Sequence, residues 1–216
     1  MRIHVYGCSW SWGQPHINNF DNWPKQLALL EPSWKIYNFS YAGSSIHFSS
    51  ALIMHLSKKI NEPTYHIFQG TTAWRWTYMP KIIDPMRYLK KELSNYWGLW
   101  LDSESHAITY QPKLTRKGPL KIKNFYKSRL KIIPTIESEL EFSHTFEAIR
   151  NNFNLTFFQT FGGYSTYKKY YDHNVLCIEE VLGDDLFHKY IVDKGAHFGE
   201  EGLKWQAKYI RNLITG

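Results

Sequence analysis

Short apolar segments alternate with helical patterns along the first third of the chain. The segments at residues 1–6, 34–39 and 64–68 have the length and alternation of buried strands. Helical patterns follow the first two, at about residues 21–30 and 46–60. A further helix is predicted at 137–152 and a fourth strand at 155–159.

The repeated order of strand, loop and helix indicates the fold class. Such repetition is typical of a parallel sheet with helices on both of its faces. We therefore predict an α/β protein, a three-layer α/β/α sandwich with a mostly parallel, flavodoxin-like sheet of about five strands. In this topology, the loops that follow the strands meet at one edge of the sheet, where ligands bind.

One segment of the chain does not fit the pattern. We predict a single domain over residues 1–216, with an aromatic and basic insertion at about 79–134 that forms a lid or a wall beside the site. Eight lysine and arginine residues lie between residues 113 and 131. This basic segment is either a solvated face or a polyanion site, and no nucleic-acid-binding signature accompanies it.

The first group of candidate catalytic residues directly follows the first strand. The block Gly7-Cys8-Ser9 places a serine hydroxyl at the predicted ligand-binding edge, and its glycine allows a sharp turn. The alternative is that the serine only caps a helix. Two neighbouring residues are alternative nucleophiles: Ser11 through its hydroxyl, as the second choice after Ser9, and Cys8 as a thiolate.

The second candidate lies near the other end of the sequence. Asp193 and His197 share one glycine-containing loop, and a helix begins immediately after them. A catalytic histidine needs one ring nitrogen for the nucleophile and the other for a carboxylate or a carbonyl. The alternative is a surface histidine at a helix N-terminus.

Together, these blocks resemble the SGNH (GDSL-like) hydrolase family, in the variant with Gly-Cys-Ser in the first block. Residues 38–45 are similar to the second block, whose glycine would be Gly43. Residues 69–75 lie where the third block belongs, and Asp193 with His197 are similar to the last block. The match covers about half of the chain in four separate pieces.

The resemblance implies a serine esterase with Ser9 as nucleophile, His197 as base and Asp193 as the acid that orients the base. It also implies an oxyanion hole formed by Ser9, Gly43 and the third-block residue Thr71. Two departures from the family pattern stand out. Thr71 and Thr72 occupy the place of the usual asparagine, and the spacing from Asp193 to His197 is one residue longer than usual.

The aromatic content bears on the substrate. The chain has 9 Trp, 15 Tyr and 13 Phe, which are more rings than one core holds. We expect four residues beside the site blocks to contact substrate, namely Trp10, Trp12, Trp74 and Arg75. Flat rings suit an acylated or acetylated carbohydrate. The alternatives are a catalytically impaired ligand-binding module on the same fold and a polyanion-binding protein that uses residues 113–131.

Other features limit cofactors and setting. No His, Cys or Asp cluster has metal-ligand spacing and no phosphate-binding loop is present, so we expect no metal or cofactor. The net charge of +7 favours anionic partners only weakly, and nucleic acid is not the expected partner. Two cysteines, no signal peptide and no apolar run long enough for a membrane span favour a cytoplasmic or phage-associated protein.

Overall fold

The structure is a computed structural model. The described residues are 1–13, 21–42, 44–70, 76–78, 84–99, 108–110, 144, 147–149, 151–153, 155–159, 176–192 and 197–216. Within these ranges, the chain forms nine strands, six helices of known bounds and one 3-10 turn at Pro85–Tyr88.

The described residues form a main sheet of seven strands in the order β5-β6-β2-β1-β3-β8-β9. All neighbouring pairs are parallel except β5 with β6. Its strands are β1 (Arg2–Tyr6), β2 (Lys35–Asn38), β3 (Thr64–Gln69), β5 (Leu89–Leu93), β6 (Tyr96–Leu99), β8 (Leu155–Gln159) and β9 (Leu176–Cys177). The predicted mostly parallel α/β sheet is confirmed, and two edge strands, β5 and the two-residue β9, enlarge it.

Two further strands, β4 (Trp76–Tyr78) and β7 (Ile108–Tyr110), form a separate antiparallel pair. The helices are α1 (Ser9–Trp12), α2 (Trp23–Leu30), α3 (Ile46–Ser57), α4 (Ile178–Leu182), α5 (Asp184–Tyr190) and α6 (Glu200–Thr215). Residues 147–149 and 151–152 are also helical, within the helix predicted at 137–152.

Alternation along β1 builds a core on each face of the sheet. Ile3 and Val5 are fully buried in one apolar cluster, together with residues of α2 and α6. Tyr6 lies in the second cluster, which contains the buried residues of α3. Since successive side chains of a strand point to opposite faces, the two clusters place helices on both sides of the sheet.

The side chains that begin the helices explain their positions. The Asn22 side chain accepts a hydrogen bond from the backbone N–H of Lys25, and Pro24 lies in the first turn of α2. The Ser45 hydroxyl accepts one from Phe48 N–H and starts α3. The apolar pattern predicted α3 to continue to residue 60, but it ends at Ser57.

Part of the segment interpreted as an insertion belongs to the main sheet. Strands β5 and β6 form a hairpin that pairs with β2, and Tyr96 at the start of β6 is fully buried. The Asn95 side chain anchors the turn by donating to the carbonyls of Ala28 and Trp34, at 2.8 and 3.0 Å. Most of residues 79–134, including the basic segment 113–131, lies outside the described residues.

Candidate functional site

The carboxyl ends of three central strands lie side by side. In the registers of β1 with its two neighbours, Val5 is opposite Asn38 and Tyr6 is opposite Phe68. The chain therefore leaves β1, β2 and β3 at the same edge of the sheet, as the topology predicted.

The turn after β1 requires a residue without a side chain. A Cβ at Gly7 would lie 2.8 Å from Gln69 Cβ and 3.0 Å from Ser11 Oγ, which is closer than ordinary packing allows. The Gly7 carbonyl also accepts hydrogen bonds from Tyr41 N–H at 3.1 Å and from Ser44 Oγ at 2.5 Å. These contacts join the loop after β1 to the loop after β2 and to the end of β3.

Ser9 is brought against His197, although 188 positions separate the two residues. Ser9 is the first residue of α1, with buried Cys8 as its N-cap, and its hydroxyl is 2.9 Å from His197 Nε2. Both side chains are half-buried. A hydroxyl in hydrogen-bond contact with an imidazole nitrogen is the arrangement in which histidine can take the proton from an attacking serine.

Backbone hydrogen bonds fix His197 in place. Val192 N–H donates to the His197 carbonyl at 2.9 Å, and Gly199 N–H donates to the Tyr190 carbonyl at 2.8 Å. Phe198 lies between these bonds, pairs with Ile191 as an antiparallel bridge, and is buried. The histidine is thus held by a paired backbone segment that leads directly into α6.

Two of the predicted aromatic residues flank the block. The Trp10 ring lies edge-to-face with the imidazole of His197, at a centroid distance of 5.9 Å. Trp12 Nε1 donates to the Leu99 carbonyl at 3.1 Å, and the Trp12 ring lies 6.0 Å from that of Tyr41. Burial raises the pKa of the Tyr41 hydroxyl, so this group remains protonated at neutral pH.

Ser11 has a different position from Ser9. It is fully buried, and its Oγ donates to Gln69 Oε1 at 2.5 Å. Ser11 Oγ also accepts a hydrogen bond from Trp23 Nε1 at 2.9 Å. Because the Ser11 hydroxyl is buried and makes both hydrogen bonds, it holds α1 in place and is not available for attack on a substrate. These contacts argue against Ser11 as the nucleophile.

Five residues of the predicted site lie outside the described residues: Gly43, Thr71, Trp74, Arg75 and Asp193. Their roles as oxyanion donors, substrate contacts and triad acid stay predictions. The structure therefore brings together Ser9, His197, Trp10 and Trp12 from the predicted set.

Sequence reasoning missed a group of buried polar residues behind α1. Asn38 Nδ2 donates to the Ser11 carbonyl at 2.6 Å, and Asn22 Nδ2 donates to the Trp12 carbonyl at 3.0 Å. The Tyr96 hydroxyl lies between the two amides, 3.1 Å from each. Asn38 could have been found because it ends a central strand at the predicted ligand-binding edge. Tyr96 carried no such signal.

The described residues include no group of three or more His, Cys, Asp or Glu side chains that could hold a metal ion. Among the helices that the structure describes, none is long and apolar enough to cross a membrane.

Comparison of the chain with protein-family models and with curated proteins gives no match, so the interpretation of this site depends on its own residues and geometry.

Proposed function

We propose that the protein is a serine esterase of the SGNH type, with Ser9 as nucleophile and His197 as general base. The observation that supports the proposal is the 2.9 Å contact between Ser9 Oγ and His197 Nε2, at the sheet edge where an α/β fold binds ligands. Neighbouring elements hold both residues in that contact.

The reaction begins when Ser9 Oγ attacks the ester carbonyl carbon and His197 Nε2 takes the hydroxyl proton. The tetrahedral intermediate then collapses, the bond to the alcohol oxygen breaks, and the imidazolium gives its proton to that oxygen. Water attacks the resulting acyl-enzyme with His197 again acting as base. Acid is released, and the Ser9 hydroxyl regains its proton.

The remaining roles follow from the resemblance. The backbone N–H groups of Ser9 and Gly43 would stabilise the oxyanion, with the Thr71 hydroxyl in place of the usual asparagine. Loss of one such donor typically costs about two to three powers of ten in rate. Asp193 would orient the imidazole of His197. Because the spacing to Asp193 is one residue longer than usual, a backbone carbonyl and another acid are the alternative partners of His197.

The aromatic residues favour a class of substrate. Trp10 lies against the base, and Trp12 with Tyr41 forms a second aromatic surface beside α1. Flat aromatic rings pack well against the apolar faces of sugar rings and against acyl chains. An O-acetylated or acylated carbohydrate is therefore the substrate class to test first, with Trp74 and Arg75 as further predicted contacts.

Labelling with a fluorophosphonate probe tests the activated serine. We expect the wild-type protein to form a covalent adduct, and we expect Ser9→Ala and His197→Ala to lose it. Cys8→Ala is the matched control, since it removes the neighbouring thiol and keeps the serine. Loss of label in Cys8→Ala with retention in Ser9→Ala would show that the thiol is the nucleophile.

An unlabelled wild-type protein, tested under conditions where a known esterase reacts, would refute the proposal. The binding-module hypothesis would then lead, and it predicts saturable binding of an acylated sugar without turnover. A polyanion-binding protein would instead show strongly salt-dependent association that charge reversal in residues 113–131 abolishes.

A further inference from the structure

Helix α1 carries Ser9 but is too short to hold itself in place. It has four residues, Ser9–Trp12, which is about one turn. Isolated helices of this length are unstable because one turn does not repay the cost of nucleation. The position of the Ser9 hydroxyl must therefore be set by contacts between α1 and its neighbours.

Two amide side chains cap the C-terminal end of α1. Asn38 donates to the Ser11 carbonyl at 2.6 Å, and Asn22 donates to the Trp12 carbonyl at 3.0 Å. Carbonyl groups at a helix end have no partner within the helix, so these amides satisfy them.

Tyr96 joins the two caps into one network. Asn38 Nδ2 donates to the Tyr96 hydroxyl at 3.1 Å, and that hydroxyl donates to Asn22 Oδ1, also at 3.1 Å. We refer to Asn22, Asn38 and Tyr96 as the amide clamp. Its members come from the N-cap of α2, the end of β2 and the start of β6.

Burial shields the amide clamp from solvent. The exposed fractions of Asn22, Asn38 and Tyr96 are 2%, 1% and 0%, so none of them can exchange its partner for bulk water. The Asn38 Oδ1 atom also accepts from Ser40 N–H, and Asn22 Oδ1 accepts from Lys25 N–H. A buried polar network that is satisfied in this way specifies one arrangement of the elements that it joins.

We propose that the amide clamp is a positioning device that keeps the Ser9 hydroxyl within hydrogen-bond distance of His197. The inference rests on the proposed function of that pair. The three residues act on Ser9 through α1 and are positioning residues. Displacement of a reacting group by about 1 Å can reduce the rate by a factor of about one hundred, so a clamp on a one-turn helix has a kinetic consequence.

Tyr96→Phe is the sharpest test because it removes one oxygen atom and retains the buried ring. Asn22→Asp is the second variant. It keeps an oxygen for Tyr96 and for Lys25 N–H, but it removes the donor to the Trp12 carbonyl. Ile53→Val, a buried change on α3, is the matched control for a general loss of stability. Urea unfolding confirms that each variant is folded.

Two readouts are compared, and the first is the ¹⁵N NMR shift of the His197 imidazole, with Ser9→Ala as the reference for a broken Ser9–His197 contact. We expect Tyr96→Phe to move this shift toward the reference and Ile53→Val to leave it unchanged. The second readout is the rate of fluorophosphonate labelling. We expect it to fall at least about tenfold in Tyr96→Phe with the half-saturating probe concentration unchanged.

The NMR readout separates the two proposals. If wild type is not labelled, the esterase proposal fails, and the His197 shift still decides whether the clamp controls the contact. If wild type is labelled but the His197 shift of Tyr96→Phe coincides with that of wild type, the clamp proposal is overturned while the esterase proposal stands. If Tyr96→Phe does not fold, Asn22→Asp decides by the same criteria.

Discussion

Two buried histidines beneath the site predict how stability depends on pH. Arg2 Nε donates to His4 Nε2 at 3.0 Å, and arginine can only donate, so His4 carries its proton on Nδ1. That proton points to the Tyr6 hydroxyl at 3.2 Å, and His66 Nδ1 lies 3.3 Å from the same hydroxyl. Because its Nε2 accepts a hydrogen bond from Arg2, the His4 ring is neutral.

Burial favours the neutral form of both histidines because it lowers their pKa values. Loss of water lowers the pKa of His4 from 6.5 to about 3, with smaller contributions from the charges of His66 and Arg2. Burial lowers the pKa of His66 from 6.5 to about 4. Below pH 6.5 the unfolded chain therefore binds more protons than the folded chain. Stability is fully present above about pH 6.5 and decreases as the pH falls from 6.5 toward 4 and 3.

The magnitude follows from the two pKa values. At pH 5, both histidines are protonated in the unfolded chain and neutral in the folded chain. This difference lowers the free energy of unfolding by about 2 kcal/mol per histidine. The pair accounts for about 4 kcal/mol between pH 7.5 and pH 5. Since a domain is stable by only about 5–15 kcal/mol, this is a large share.

Urea unfolding at pH 7.5 and pH 5 measures this difference. We expect His66→Gln to reduce the pH-dependent loss of unfolding free energy by about 2 kcal/mol relative to wild type. His188→Gln, at an exposed position on α5, is the control and should leave the loss unchanged. Equal losses in wild type and His66→Gln would show that His66 is not buried in its neutral form, and the reasoning would be refuted.

Two further predictions concern the frame of the site. Gly7→Ala places a Cβ 2.8 Å from Gln69 Cβ, and we expect it to displace α1 and slow fluorophosphonate labelling by a factor of about ten to one hundred in folded protein. Labelling at the wild-type rate would contradict this. Asn95→Ala removes the donor to the carbonyls of Ala28 and Trp34, and we expect a loss of about 1–3 kcal/mol in urea unfolding at pH 7.5. A loss below about 0.5 kcal/mol would show that water replaces these bonds.

The elements around β1 could be predicted because local and long-range signals agree there. Strand β1 has one apolar face and one polar or aromatic face, a glycine follows it, and helices with clear caps follow the next loops. This consistency across levels makes it possible to predict from sequence the parallel sheet and the edge at which β1, β2 and β3 end together. Ser9 and His197 could be proposed from sequence because each lies two residues from a glycine, Ser9 just after the first strand and His197 just before the last helix.

The hairpin of β5 and β6 could not be predicted because β5 has the polar sequence pattern of an edge strand. Lys90 and Lys91 are exposed on β5, which pairs only with β6 among the described strands, so β5 has no continuous apolar pattern. What places the hairpin is long-range. Asn95 bonds to carbonyls near the end of α2 and before β2, about sixty residues away in sequence. No local signal encodes such a contact.

The amide clamp shows the same limit in the functional site. Asparagine at a helix N-cap and at a strand end is explained locally in each case, and a buried tyrosine is ordinary in a core. Only the sheet order, which places β6 next to β2, brings Tyr96 between Asn22 and Asn38. The nucleophile and the base can thus be proposed from their own neighbours in sequence. The residues of the amide clamp are brought together by the topology, because they come from three elements at once.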